Sequence, residues 1–130
     1  MATDLRKKNF RQSLELEKMY NQDYIFYRAK ELARDLIVSE INSDYMNKEN
    51  IYLFARYYNA VREKDISKFI NSLELEINKY FMSSNFNRFM VYYSKPFVQK
   101  PNFEDIIIFD FTSNKRIIFR FKNAYLVEII

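Results

Sequence analysis

Glu104, Asp105 and Asp110 are the residues of this chain best suited to bond-breaking chemistry, because carboxylates gathered on one side of a strand can hold a divalent metal that activates water. Their spacing argues against joint action. Asp105 and Asp110 lie five positions apart, and an odd separation along a strand sends two side chains to opposite faces. Glu31 and Asp35, one helical turn apart, form the other carboxylate pair, but Arg28, Lys30 and Arg34 surround them, as on a solvated helix face with ion pairs. The rest of the catalytic toolkit is missing: the 130 residues include no His, Cys, Trp or Gly. A chain of this length ordinarily carries about nine glycines. Without imidazole and thiolate there is no Ser-His-Asp or Cys-His arrangement and no ordinary zinc site, and without glycine no phosphate-cradling loop. The expectation is a protein that is not an enzyme and needs no cofactor or metal.

Binding chemistry has more to work with. Between Lys79 and Phe103 the chain holds Lys79, Arg88, Lys95 and Lys100 and no acidic residue up to position 103, interleaved with Tyr80, Phe81, Phe86, Phe89, Tyr92, Tyr93, Phe97 and Phe103. Cations among aromatic rings are the pattern of single-stranded nucleic-acid surfaces, where bases stack and phosphates are neutralised. Arg88, Lys95, Lys100, Arg116, Arg120 and Lys122 form the candidate patch. A core strand with a basic edge has the same appearance, and in each of the pairs Tyr57-Tyr58 and Tyr92-Tyr93 one ring falls on an apolar face. The net charge of +4 permits a nucleic-acid partner without requiring one.

Thirteen Phe and eleven Tyr exceed what a small monomer needs inside, which points to an interface with other protein subunits in a homo- or hetero-oligomer. Phe10, Leu14 and Tyr20 are the candidate anchors. Between Leu5 and Tyr20 the apolar residues do not gather on one face, so the segment is either an arm touching several neighbours or a basic tail carrying Arg6, Lys7, Lys8 and Arg11.

These residues must be positioned by an α+β fold: about four N-terminal helices, spanning roughly 3–84, packed on a small antiparallel sheet formed by a meander over roughly 86–130, all in one domain. Thr3 and Asp23 serve as caps of the first two helices, and Phe26, Ala29, Ala33, Leu36, Ile37 and Ile41 follow a helical period in the second. Asn47 caps a third helix through Leu53, Phe54, Tyr57, Ala60 and Val61. Asp65 caps a fourth, in which Ile66, Phe69, Ile70, Leu73, Ile77, Tyr80 and Phe81 recur at one face. Asn85 takes the left-handed role that glycine would play after that helix. Strands follow at Arg88 to Tyr93, Asp105 to Phe111, Arg116 to Lys122 and Tyr125 to Ile130, with Pro96 and Pro101 bracketing a loop. A three-residue turn, Ser113-Asn114-Lys115, would pair Phe111 with Ile117, Phe109 with Phe119 and Ile107 with Phe121, collecting six apolar side chains on one face. Asn114 or Lys115 must then take the left-handed conformation.

The stretch Asp105-Ile-Ile-Ile-Phe-Asp-Phe-Thr-Ser-Asn-Lys-Arg-Ile-Ile-Phe-Arg-Phe-Lys-Asn-Ala-Tyr-Leu-Val-Glu-Ile resembles the hairpin of contractile-phage tail-tube proteins, in which two strands lead through an aromatic-Pro step into another strand. It covers about a fifth of the chain, and Leu126 stands where that family tends to have proline. Phe, Tyr, Ile, Lys and Asn make up 63 of the 130 residues, the mark of an AT-rich genome. Together these imply an assembly or virion-associated subunit of a phage or similar mobile element, cytoplasmic in the host cell or carried in the virion. No run approaches the roughly 20 apolar residues of a membrane span and no signal peptide is visible, so no membrane partner is expected. The alternative is a nucleic-acid-binding or host-directed regulatory protein using the basic-aromatic surface.

Overall fold

The structure, a computed structural model, describes residues 21–41, 47–81 and 87–130. It is α+β: two helices and a four-stranded antiparallel sheet. Helix α1 spans Gln22–Ile41 and α2 Lys48–Tyr80; the strands are β1 (Phe89–Ser94), β2 (Phe103–Asp110), β3 (Lys115–Lys122) and β4 (Tyr125–Ile129), paired as a meander in that order.

The count of about four helices is corrected to two among the described residues. The Asn21 carboxamide caps α1, accepting the N–H groups of Asp23 (3.0 Å) and Tyr24 (3.2 Å), so Asp23 sits in the first turn instead of at the cap. Asn47 caps α2 as expected, accepting Glu49 N–H at 2.8 Å. The expected third and fourth helices are one 33-residue element with a kink at Asp65, whose backbone is extended (φ −156°, ψ 81°). The Asp65 carboxylate accepts Lys68 N–H at 3.0 Å, as a cap does. The helix resumes at once because Phe54, Tyr58 and Val61 before the kink and Phe69, Leu73 and Ile77 after it enter the same core. Tyr80, placed on the apolar face by its spacing, is exposed. The first expected helix with its cap Thr3 and its anchors Phe10, Leu14 and Tyr20, and the left-handed Asn85, lie outside the described residues.

Helix α1 packs on α2, burying Ile25, Ala29, Leu32, Ala33, Leu36 and Ile37, and α2 contacts the sheet at β1 and β4. One sheet face is the floor of the core, contributing Phe89, Val91, Ile106, Ile108, Ile117, Phe119 and Phe121, with Leu126 and Ile129 of β4 packed against it.

The β2–β3 register differs from the expected one. Asp110 pairs with Lys115, Ile108 with Ile117 and Ile106 with Phe119, leaving a four-residue turn, Phe111 to Asn114. Even-numbered residues of β2 therefore face the core and Ile107 and Phe109 face away, because a register change of odd size reverses every side chain of a strand. The longer turn lets the Asp110 carboxylate accept the N–H groups of Thr112 (2.9 Å) and Ser113 (3.3 Å), while Asn114 takes the left-handed conformation (φ 58°). In the β3–β4 turn the two central residues, Asn123 (φ 49°) and Ala124 (φ 71°), both have positive φ, the geometry whose twist suits a two-residue hairpin.

Candidate functional site

The face of the sheet turned away from the helices is set out in rows by the strand register. Met90, Phe109 and Arg116 form one row; Tyr92, Ile107, Ile118 and Ile130 the next; then Ser94, Asp105, Arg120 and Glu128; and finally Phe103, Lys122 and Tyr125. An antiparallel sheet with one solvated face normally carries polar residues there. Here the first two rows are apolar apart from Arg116. Ile107 and Ile118 are buried yet stand outside the cluster that joins both helices to the sheet, and Met90, Ile130 and nearby Phe111 are exposed. Among the described residues no helix covers these two rows.

The third row is polar because it is paired. The Asp105 carboxylate, only 1% exposed, accepts two hydrogen bonds from Arg120, from Nε and Nη2, both at 3.0 Å. Arg120 also lies 4.0 Å from Glu128 and stacks over Phe97 at 5.1 Å. Such a fork-to-fork pair holds both groups in one geometry. Beyond it Phe97 and Phe103 meet edge to face at 5.2 Å, with Lys100 over both rings at 5.8 Å and Lys122 over Phe103 at 5.6 Å.

The six cations of the expected patch are thus divided. Lys100, Arg120 and Lys122 gather around Phe97 and Phe103 at one end of the sheet, and Arg120 is held by Asp105. Arg88 is at the other end, bonded through Nε (3.0 Å) and Nη2 (2.9 Å) to Asp110. Arg116 stands beside Phe109 in the register, and Lys95 is exposed at the start of the loop after β1.

Glu104, Asp105 and Asp110 do not converge. Asp105 and Asp110 each hold a different arginine from opposite faces, and Glu104, on the core face, accepts a 2.7 Å bond from Arg62 Nη1. Among the described residues no three acidic side chains come together. The other Glu104 oxygen and the Tyr58 hydroxyl are buried without a hydrogen-bond partner among the described residues. Burial, and secondarily Glu104, pushes the Tyr58 phenol well above its ordinary value.

Burial alone would raise the Asp110 carboxyl. Hydrogen bonds from Arg88, the Ser113 hydroxyl and the N–H groups of Thr112 and Ser113 outweigh it and hold the group below its ordinary value. A carboxyl depressed by folding contributes stability that is complete above its unfolded value, about 3.9, and is lost as pH falls through the lower folded value. Urea midpoints measured from pH 6 to pH 2 should therefore fall more steeply at the acid end for the native chain than for Asp110→Asn. Parallel curves would count against this linkage.

No family model, no curated protein and no solved structure matches the chain.

Two features lie outside the sequence-derived patch. Helix α2 covers the outer edge of β1: the Asn78 carboxamide oxygen accepts the N–H groups of Arg88 (2.6 Å) and Phe89 (2.8 Å), its nitrogen donates to the Phe89 carbonyl (3.1 Å), and Glu74 accepts Val91 N–H (3.2 Å). The signal was an asparagine, a poor helix former, one position after the buried Ile77. At the opposite side of the sheet a groove of about 640 Å³ separates the first turns of α2 from the β3–β4 turn, lined by Lys48, Tyr52, Arg56, Asn59, Asn123 and Tyr125 over an apolar floor. No periodicity in the sequence could have joined these two segments. Among the described residues no helix is long and apolar enough to cross a membrane.

Proposed function

We propose that this chain is a non-enzymatic assembly subunit that binds another protein through the outer face of its sheet. The observation that carries the reading is the pair of apolar rows, Met90 and Phe109 with Tyr92, Ile107, Ile118 and Ile130, whose exposed members are Met90 and Ile130 and over which, among the described residues, no helix packs, while both described helices pack on the other face. Apolar surface of this kind, rimmed by the paired charges of Asp105, Arg120 and Glu128, is the anatomy of an interaction surface. The biological setting, a phage or similar mobile element, is supported by the likeness of residues 105–129 to tail-tube hairpins and by the AT-rich composition.

The lysines over Phe97 and Phe103 favour a second reading, in which that end of the sheet takes single-stranded nucleic acid. One comparison separates the two. Partner capture from cells making the chain should drop about tenfold or more for Met90→Lys/Phe111→Lys, whose far-UV circular dichroism stays native, and remain unchanged for Lys100→Glu/Lys122→Glu. If instead the lysine variant alone loses activity, and a labelled single-stranded oligonucleotide binds with an affinity that falls steeply in salt, the second reading replaces the first.

A further inference from the structure

The two edges of the sheet are treated differently. A strand edge exposes N–H and C=O groups that will pair with another strand, and folded proteins blunt such edges with charge, proline, bulges or a covering element. The β1 edge is held along its first half, where Asn78 takes the N–H of Arg88 and both backbone groups of Phe89 and Glu74 takes the Val91 N–H. The β4 edge is not. Ile118 and Ile130 exchange two hydrogen bonds (3.1 and 2.9 Å), so the adjacent Ile129, opposite Phe119, turns its N–H and C=O away from β3. The strand's protection is slight, one bulge at Val127 and one ionised residue, Glu128, while Tyr125 (72%), Val127 (52%) and the following Ile130 (50%) are strongly exposed.

From this asymmetry we infer that two copies of the chain pair antiparallel along β4, joining their sheets into one of eight strands. The inference deepens the assembly reading by naming one partner, a second copy. A two-fold contact sets every charge near its own duplicate, and β4 tolerates this because Glu128 is alone and already faces Arg120 of its own subunit. With the first half of the β1 edge occupied by helix α2, a repeating β4-to-β1 contact would have at most half a strand to pair with, whereas the symmetric β4 contact has a whole one and closes at two. The register shift between Arg120 and Phe121 interrupts β4 at Val127, which limits the hydrogen-bonded run. Side-chain burial must supply the remainder. Tyr125, Val127 and Ile130 provide it, and the groove beside Tyr52 is a recess for the partner's side chains. The outer apolar faces of the two copies become continuous.

The full chain should sediment at about twice 16.0 kDa at tens of micromolar. Val127→Lys sets two like charges near the two-fold axis and should give a single 16.0 kDa species with native circular dichroism. Because the chain has no cysteine, Val127→Cys gives a second reading: under mild oxidation it should cross-link to a dimer far faster than Leu75→Cys, at an exposed site on α2. A wild-type chain that stays at 16.0 kDa, a dimer that survives Val127→Lys, or equal cross-linking at both sites would overturn the inference. Failure here is distinct from failure of the assembly reading, since Met90→Lys/Phe111→Lys should lose its partner while remaining a dimer.

Discussion

Phe54→Ala should lower the unfolding free energy by about 3–5 kcal/mol, the largest effect of any single truncation proposed for this chain. Phe54 is fully buried on α2, where it meets Phe119 (5.3 Å) and Phe121 (5.9 Å) of β3 edge to face and Tyr58 of its own helix at 6.0 Å. It is where the helical layer grips the sheet. Tyr58 continues the contact, 4.2 Å from Phe121. Truncation removes the ring's transfer free energy and leaves a cavity walled by three other aromatics, which are too large and too mutually engaged to close over it. Against a typical total of about 5–15 kcal/mol, the loss should lower the midpoint of thermal unfolding by about 10–20 °C. Tyr52→Ala, two positions earlier and exposed, should change stability by no more than about 0.5 kcal/mol. Urea unfolding of both variants, followed by circular dichroism, tests the contrast. A loss below about 1 kcal/mol for Phe54→Ala would mean that the helices and sheet do not share this core.

The same packing explains how much of the fold the sequence reveals. Helical periodicity is redundant, since Ala29, Ala33, Leu36 and Ile37 or Phe69, Leu73 and Ile77 point to the same side whichever residue begins the count, and all of them are buried. The strand positions were legible too, because aromatic and β-branched runs are bounded by Pro96, Pro101 and the turn residues. Orientation within β2 was not. Ile106, Ile107, Ile108 and Phe109 are apolar on both faces, so alternation cannot tell inside from outside. The turn decides, through carboxylate bonds that fix Asp110 at its start and an arginine that is remote in sequence. The site followed the same rule. The sequence weighs Asp105 only as a rejected metal ligand and Arg120 only as part of the alternative nucleic-acid patch, and does not join them, because only the observed register sets them opposite one another.

Asn78→Ala should be the most consequential polar substitution, because that carboxamide holds the β1 edge shut. Three of its hydrogen bonds go to backbone groups of Arg88 and Phe89, at 2.6, 2.8 and 3.1 Å, and Phe89 is itself buried. Removing the side chain leaves two donors and an acceptor at a partly buried edge; at about 1–3 kcal/mol for each group left unpaired, with water recovering some, the net loss should be about 2–4 kcal/mol. Helix propensity works in the opposite direction, since alanine is the better helix former by roughly half a kcal/mol, so a destabilisation would report the edge and not the helix. A change in association should accompany it. With Glu74 alone left on Val91 N–H, the β1 edge becomes available for pairing, and a chain already open at β4 gains a second open edge. Two open edges propagate where one closes. Sedimentation of Asn78→Ala should therefore show species larger than a dimer, growing with concentration, and adding Val127→Lys should return the variant to small species without restoring its stability. If Asn78→Ala is as stable as the parent and no more associated, the carboxamide does not guard the edge, and the asymmetry between β1 and β4 loses its meaning.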